Sequence, residues 1–508
     1  MESFVHKFLR HSSHYAVGEI LVFAFGFISF PILTRVLSPS DYGIMSVFSV
    51  TLWIFLAFSR AGLAETTVRF YQPYTAAQDP LQRSTYYSTL SAATLVFALG
   101  VILIILLFGE WILTLVFDQH LPHYHLLMAG LVATGTLTAR MMNFMRAEQR
   151  TKAYNLTLVI GRFLSLVTSL SFLFLIAKKL EIYFTGNLIA EMAITTVLVT
   201  LFYRKTKPNW NHISGSLFKE CIRFGFPLVG YELGFLLLKS VDRYILQMIL
   251  GPEAVGFFSV ASNLGHYVKE LILYPLGYAF MPIYMQIWHE QGKEATSKFV
   301  STVANYSLLV VVPIFFLFLL LGDEVIIFLA SAKYAPASKL LGWIVAGTII
   351  NALLPIYSAG LMIAKKTKVI NLFLVVCVGL NVGLNLWLIP RFGLLGSCYA
   401  SMITYSAFAL AMAKASATYL PIHLDYRTVG IGVAASLVMY AIGTLFASSS
   451  SLGNILFRSI IACSVYCLLL VGLHQPTRRA ARILLDKGRK VVLRQSADDK
   501  KNTVRHHD

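Results

Sequence analysis

Six basic side chains stand in stretches of the chain that are otherwise apolar: Arg60, Arg140, Arg162, Lys239, Arg243 and Lys269. Six acids share that setting: Glu19, Glu65, Glu191, Glu232, Asp242 and Glu270. A charge in hydrocarbon costs about 2.5–3.5 kcal/mol on an insertion scale, so such groups face a wet cavity or one another. Spacing helps to separate the two cases. Thr136, Arg140 and Asn143 share one helical face, and so do Arg162, Ser165 and Ser169. Asn187, Glu191 and Thr195 recur every fourth residue, and Glu232, Lys239, Asp242 and Arg243 form another stripe. A salt bridge needs only two residues, whereas hydroxyls and amides on successive turns describe a hydrophilic lining. Arginine offers paired hydrogen bonds to phosphate oxygens and lysine a point charge, so the six cations are the expected anion-binding groups. Internal pairing is the competing expectation, above all for the adjacent Asp242 and Arg243. A buried carboxylate can carry a proton or partner an arginine, and Glu19, Glu191 and Glu232 are placed for either role.

Neither an enzyme nor a metal centre is expected. The five cysteines have no C-x-x-C spacing, and the cluster His120, His123 and His125 has no nearby cysteine to complete a ligand set. No G-x-x-x-x-G-K-[ST] sequence occurs, so no nucleotide or other cofactor is called for, and transport would draw on an ion gradient, the membrane potential or removal of product.

The elements that must position these residues are membrane helices. The chain has 508 residues, 57% hydrophobic and 13% charged; about 25% charged is usual in soluble domains. With about 20 apolar residues per crossing, about fourteen crossings account for the hydrophobic share. The composition excludes a soluble enzyme, a disordered chain and a nucleic-acid-binding domain, and long apolar runs argue against an outer-membrane barrel. Fourteen stretches fit: 15–37, 43–65, 84–109, 119–139, 153–177, 182–203, 223–250, 253–278, 299–322, 340–364, 369–390, 392–413, 428–447 and 454–473. The eighth stays apolar to Trp288 and reads as one long helix protruding into the cytoplasm. With the N-terminus inside, lysine and arginine in the inner segments outnumber those in the outer ones, Arg458 among the latter, by about four to one, which is the positive-inside bias. Both termini are therefore expected in the cytoplasm, and most of the net charge of +18 is a topology signal.

The chain also repeats itself. Leu37-Ser38-Pro39-Ser40-Asp41-Tyr42-Gly43-Ile44-Met45-Ser46-Val47 is similar to Leu250-Gly251-Pro252-Glu253-Ala254-Val255-Gly256-Phe257-Phe258-Ser259-Val260. Thr151-Lys152-Ala153-Tyr154-Asn155-Leu156 matches Thr367-Lys368-Val369-Ile370-Asn371-Leu372, and Gly186, Ala190 and Met192 align with Gly396, Ala400 and Met402, at nearly the same offset. A unit of six spans returns the chain to its starting side, so the two copies run parallel about an axis along the membrane normal. The fold class expected is all-α and polytopic, with two parallel six-helix bundles, residues 1–210 and 211–418, around a central cleft. An additional helix pair, 419–475, and a basic cytoplasmic tail, 476–508, complete the chain. The tail suits anionic lipid headgroups or a solvated extension equally well.

The same residues resemble the polysaccharide flippase family, of the O-antigen type, within the multidrug/oligosaccharidyl-lipid/polysaccharide exporter superfamily. The resemblance rests on the turn Thr34 to Gly43, on Phe224-Gly225-Phe226-Pro227, on Ser240-Val241-Asp242-Arg243-Tyr244-Ile245-Leu246 and on the second turn, Leu250 to Val260. It implies a flippase of the inner (plasma) membrane that moves undecaprenyl-pyrophosphate-linked oligosaccharide from the cytoplasmic to the periplasmic leaflet for surface polysaccharide such as the O-antigen of lipopolysaccharide. The six cations would then receive the pyrophosphate, with H+ or Na+ as coupling ion, and a polysaccharide polymerase and a chain-length regulator would be partners, besides membrane lipids. The alternatives are a multidrug/cation antiporter, which would favour an acid-rich cleft, and a lipid II flippase. A membrane glycosyltransferase or polymerase would need a large catalytic loop, and the loops here are only connections.

Overall fold

Lipid offers no hydrogen bonds, so a spanning segment must satisfy every backbone N–H and C=O within itself, and a helix does so. The computed structural model describes residues 2–75, 79–206, 208–270, 274–446, 449–475 and 478; among them are helices and no strand. The helices are α1 Glu2–Val36, α2 Pro39–Arg60, α3 Leu63–Thr75, α4 Pro80–Phe117, α5 Tyr124–Ala147, α6 Thr151–Leu175, α7 Leu180–Thr206, α8 Gly215–Leu250, α9 Pro252–Val268, α10 Tyr274–Ala330, α11 Ser338–Ala352, α12 Leu354–Tyr357, α13 Ala359–Ile363, α14 Thr367–Phe392, α15 Leu394–Ala417, α16 Tyr426–Thr444 and α17 Leu452–Leu473. Among the described residues, 11 helical segments are long and apolar enough to cross a membrane. They cover all the expected stretches but the first, fourth and eighth, which fall on α1, α5 and α9. The protein is thus an all-α, multi-pass membrane protein. Of the basic tail only Arg478 is described.

Starts and stops follow local chemistry. Proline opens α2 and α4, where its missing N–H costs nothing, and Ser38 and Asp79 cap those helices by accepting from the Asp41 and Leu81 amides. One break departs from expectation. The stretch 43–65 is interrupted: α2 ends at Arg60 and α3 begins at Leu63. In the eighth stretch α9 ends at Val268 and α10 begins at Tyr274, and residues 271–273 between them lie outside the described residues. Gly292, with φ 80° and ψ −168°, interrupts α10.

By contacts the chain forms two compact units: residues 1–267, 329–340 and 368–408, and residues 268–328, 341–367 and 409–508. In the first, α6 and α7 form a tight hairpin, and a Cβ on Gly186 would come within 2.8 Å of the Thr168 carbonyl oxygen. Close approach through a small residue drives helix association in lipid. Beside the hairpin, α4, α5 and α7 enclose an aromatic core of Tyr86, Tyr87, Phe144 and Phe202, with the last two stacked at 5.0 Å between centroids. In the second unit, α16 and α17 pack on α10, where Gly432 and Gly443 lie under Leu309 and Leu320, and the Tyr466 hydroxyl donates to the Leu309 carbonyl at 2.6 Å. Arg458 is not an outer-loop charge. It sits in α17, 4% exposed, and pairs with Glu324 of α10 while Nη2 donates to the Gly443 carbonyl at 3.1 Å. The sequence could not distinguish a charge near a helix start from one turned inward onto a buried acid.

Candidate functional site

The break between α2 and α3 builds the site. Ala61 (φ 48°) and Gly62 (φ 65°) adopt left-handed conformations, which stop α2 at Arg60 and turn the chain into α3. The break is pressed on α8. A Cβ on Gly62 would lie 1.9 Å from the Gly225 carbonyl oxygen, and one on Gly225 would lie 2.9 Å from that of Gly62. Only glycine allows both the positive φ at 62 and this backbone contact. The first amides of α3 lack intrahelical partners and carry the positive end of the helix dipole.

Beside this helix start lies a small recess lined by Arg60, Leu63, Ala64, Thr94, Thr136, Ala139, Arg140 and Asn143. It has room for about one water molecule. The stripe Thr136, Arg140 and Asn143 on α5 therefore faces one space. Arg140 is 3% exposed; Nε donates to Thr94 Oγ1 at 2.5 Å, Nη1 donates to Thr67 Oγ1, and the guanidinium lies 5.4 Å from the Phe144 ring centroid. Both hydroxyls are fixed in turn, donating to the carbonyls of Leu90 and Leu63. The Arg60 guanidinium lies 5.5 Å from the Trp53 ring centroid, and its buried Nε has no hydrogen-bond partner. Among the described residues neither arginine has a carboxylate within 4.0 Å. Glu232 and Glu191 act on Arg60 through the field at longer range, and Glu191 also feels Arg162. Around the recess Ser59 and Thr136 share a hydrogen bond of 2.6 Å, and Thr138 and Thr195 one of 2.8 Å, which links the polar faces of α2, α5 and α7.

The other expected groups lie elsewhere. Arg162 is exposed on α6, although Ser165 and Ser169 of the same stripe are buried. Glu232 and Lys239 are exposed on α8. Glu191 is half-buried on α7. Lys269 is half-buried just past α9, in the second unit. Glu19 is in α1, with its side chain outside the described residues.

Asp242 and Arg243 are both buried and face different helices. Asp242 accepts from Asn385 Nδ2 of α14 at 2.8 Å and from Ser401 Oγ of α15 at 2.6 Å, whereas Arg243 Nε donates to Ser259 Oγ of α9 at 3.2 Å. Sequence reasoning missed the Asp242 junction. Its signal was Asn381 and Asn385, one turn apart in an apolar stretch, and both have no exposed surface. Among the described residues no three His, Cys, Asp or Glu side chains gather as metal ligands.

At the loop-end of α5 a second polar cluster holds the helices together. Glu148 accepts from the Tyr87 hydroxyl at 2.6 Å and from Lys205 at 3.1 Å, with Arg150 at 3.5 Å. Burial opposes its charge, but the Tyr87 and Lys205 hydrogen bonds and the Lys205 and Arg150 charges together hold the carboxyl below the usual range.

A family profile described as "Polysaccharide biosynthesis protein" matches residues 8–288, more than half of the chain. A probable low-salt glycan biosynthesis flippase, Agl15 of Haloferax volcanii, is 24% identical over 313 residues, 58% of this chain and 64% of that protein. An uncharacterised membrane protein of Methanocaldococcus jannaschii is 25% identical over 199 residues, 38% of each. The matched region spans less than two thirds of the length of either relative. Among solved structures, the lipid II flippase MurJ in an inward closed conformation is similar with a TM-score of 0.72 at 13% identity, over 91% of this chain and 99% of that one. An inward-facing MATE family multidrug resistance transporter of the MOP superfamily gives 0.61 at 14% identity, over 78% and 94%. At such identity these two establish the fold, which is that of the MurJ and MATE transporters.

Proposed function

We propose that this chain, which belongs to the polysaccharide biosynthesis protein family, is a flippase that carries undecaprenyl-pyrophosphate-linked oligosaccharide from the cytoplasmic to the periplasmic leaflet by alternating access. The observation that carries the reading is the pair Arg60 and Arg140, two guanidinium groups on one recess with no carboxylate in contact among the described residues. Arg140 rests its charge on two neutral hydroxyls and Arg60 rests its own beside Trp53, with no carboxylate to neutralise either, so the recess keeps positive charge that suits an arriving anion. Pyrophosphate presents several charged oxygens, which a planar guanidinium engages in pairs. The first turn of α3 adds amides of the right polarity. Hydroxyls and amides of the polar stripes would take the sugars, while the polyprenyl tail stays in lipid.

The recess is too small for such a cargo as it stands, so the reading requires the helices around it to part. In this reading the halves 1–210 and 211–418 rock about a central cleft in the inner membrane, with both termini cytoplasmic, as the loop charges favour. Arg162, Lys239, Arg243 and Lys269 would extend the anion path. Glu191 and Glu232 lie in the field of Arg60, so an anion bound there changes what they feel. With Glu19 they are the proposed carriers of a coupling proton or sodium ion. A cationic drug would be repelled at the same recess, which disfavours the antiporter reading.

The test is neutralisation of Arg60 and Arg140 singly, scored as surface glycan at matched expression. Loss in both supports the reading; wild-type glycan in either removes that arginine from the site, and in both removes the reading.

A further inference from the structure

Beyond the break, α3 and α8 carry a second group of cations. Their contacts fix how the two helices pair. Gly62 meets Gly225, Arg69 lies over the Phe224 ring, and Tyr74 lies in the field of Glu220. Positions rise along α3 as they fall along α8, so the helices run antiparallel, and the end of α3 lies beside the start of α8. At about 1.5 Å per residue, Arg69 stands roughly 10 Å along α3 from Gly62.

The cations near this end divide into two kinds. Arg146 pairs with Glu65 at 3.2 Å, and Lys205 and Arg150 share Glu148 at 3.1 and 3.5 Å. Arg69, Lys219 and Arg223 are exposed and have no carboxylate within 4.0 Å among the described residues. Arg69 is held all the same. Its guanidinium lies 4.2 Å from the Phe224 ring centroid and 5.8 Å from that of Phe70. Stacking on a ring orients a guanidinium without neutralising it, and leaves the N–H groups along its edge for an anion. Lys219 and Arg223 are four residues apart on α8, hence on one face. Val68, next to Arg69, and Phe226, one turn beyond Arg223, are 37% and 57% exposed. Cations beside exposed hydrocarbon suit the phosphate of a lipid better than a free phosphate.

We propose that Arg69, Lys219 and Arg223 form a loading site that first holds the diphosphate of the lipid-linked cargo at the cytoplasmic leaflet, before it passes along α3 to Arg60 and Arg140. The proposal rests on the flippase reading and on its loop-charge orientation. Two features favour a diphosphate over the single phosphate of a bilayer phospholipid. Three cations stand without a countercharge, and the site is continuous with the recess, because the helix pair that carries it also makes the Gly62–Gly225 contact beside Arg60. An exposed site captures by charge. It sets how readily cargo loads, not how fast a loaded carrier turns over.

The experiment attaches bimane to Val68→Cys in the full chain, with the two exposed native thiols removed as Cys463→Ser and Cys467→Ser, in phosphatidylcholine nanodiscs. Farnesyl diphosphate should change the fluorescence saturably, and farnesyl monophosphate should need about ten times more. Arg69→Gln and Arg223→Gln should each raise the half-saturating concentration about five- to tenfold, the loss of one interfacial cation, with Arg69→Lys between. In proteoliposomes supplied with lipid-linked oligosaccharide, the same variants should raise KM by that factor and leave the saturating rate alone, a split that a merely structural role would not give. Unchanged half-saturation in folded Arg69→Gln overturns the proposal, and Arg223→Gln decides it in the same way if the first variant fails to fold. A bimane signal saturated by phosphatidylglycerol in the nanodisc, and not displaced by farnesyl diphosphate, also overturns it and gives the site to bilayer lipid. If binding shifts as expected but the protein moves no glycan, the flippase reading fails while the lipid diphosphate site stands.

Discussion

Replacing Arg140 by methionine separates a role in holding the fold from a role in holding cargo. The arginine is 3% exposed and bonded only to neutral hydroxyls, those of Thr94 and Thr67. Taking a guanidinium out of water costs several kcal/mol after relaxation. Two hydrogen bonds from a charged group return about 1.5–3 kcal/mol each. The terms nearly cancel, so Arg140 gives the fold little. Methionine keeps a flexible chain against Phe144 and removes the charge. The two threonines keep their own donations to Leu90 and Leu63, at 2.9 and 2.6 Å, so no buried hydroxyl proton is orphaned. The unfolding midpoint of Arg140→Met should stay within about 2 °C of wild type, which is about 1 kcal/mol for a unit of more than 250 residues. Flipping should behave differently. Loss of charge-assisted bonds to phosphate oxygens, about 1.5–3 kcal/mol, lowers apparent affinity or rate by roughly ten- to a hundred-fold at 1.4 kcal/mol per decade. Arg140→Lys keeps the charge without the fork and should fall between. The assay is translocation of a fluorescent lipid-linked oligosaccharide in proteoliposomes, per folded molecule, beside a thermal melt. A methionine variant that melts far earlier yet flips normally when folded would refute the reasoning, since Arg140 would then be a structural tie.

Three further outcomes follow from other contacts. The Glu148 carboxyl is held below the usual range, so its contribution to stability is present at neutral pH and is lost as pH falls below the unfolded value of about 4.3 and through the lower folded one. Melts of wild type and Glu148→Gln should therefore differ at pH 7 and converge in acid; a constant gap would contradict this. Glu324→Gln leaves Arg458 buried without a countercharge and should cost about 3–5 kcal/mol, whereas replacing both by leucine and methionine should cost far less. Thermal unfolding of the two variants beside wild type decides. Gly62→Ala puts a methyl group onto the Gly225 carbonyl and should cost at least about 1–3 kcal/mol, while Gly100→Ala, which meets nothing within 4 Å, should be neutral or stabilising in the same assay.

Much of the fold was legible because a spanning helix announces itself by length and apolarity, and all fourteen stretches carry helix. The breaks were not legible, because hydropathy is blind to a backbone that changes direction without changing polarity. Nothing in Arg60-Ala61-Gly62-Leu63 marks a left-handed pair; the cause is Gly225 on a helix far along the chain. Within the site, spacing placed Thr136, Arg140 and Asn143 on one recess, because a stripe on one helix is local geometry. It could not say that Arg162 and Lys239 would be exposed, or that Asp242 and Arg243, adjacent in sequence, would turn to different helices. Those outcomes depend on neighbours that sequence periodicity does not name.

The repeat also shows where scaffold and chemistry part. Gly43, Ser46 and Pro39 have their counterparts in Gly256, Ser259 and Pro252, and these residues meet one another where the start of α2 touches the start of α9. Arg60 and Arg140 have none: at the offsets of the nearest matching segments, 213 and 216, the second copy has Leu273 and Ile356. A symmetric closure must be encoded twice, because each copy supplies half of every contact. An anion site need be encoded once, since one set of cations serves one anion. The asymmetry therefore fits one charged group carried per cycle, held by the first copy, while both copies share the work of opening. Moving the pair to the second copy, as Arg60→Leu and Arg140→Ile with Leu273→Arg and Ile356→Arg, should abolish glycan export at matched expression. Export retained by that protein would show that position within the halves is immaterial, and the recess beside α3 would lose its standing as the site.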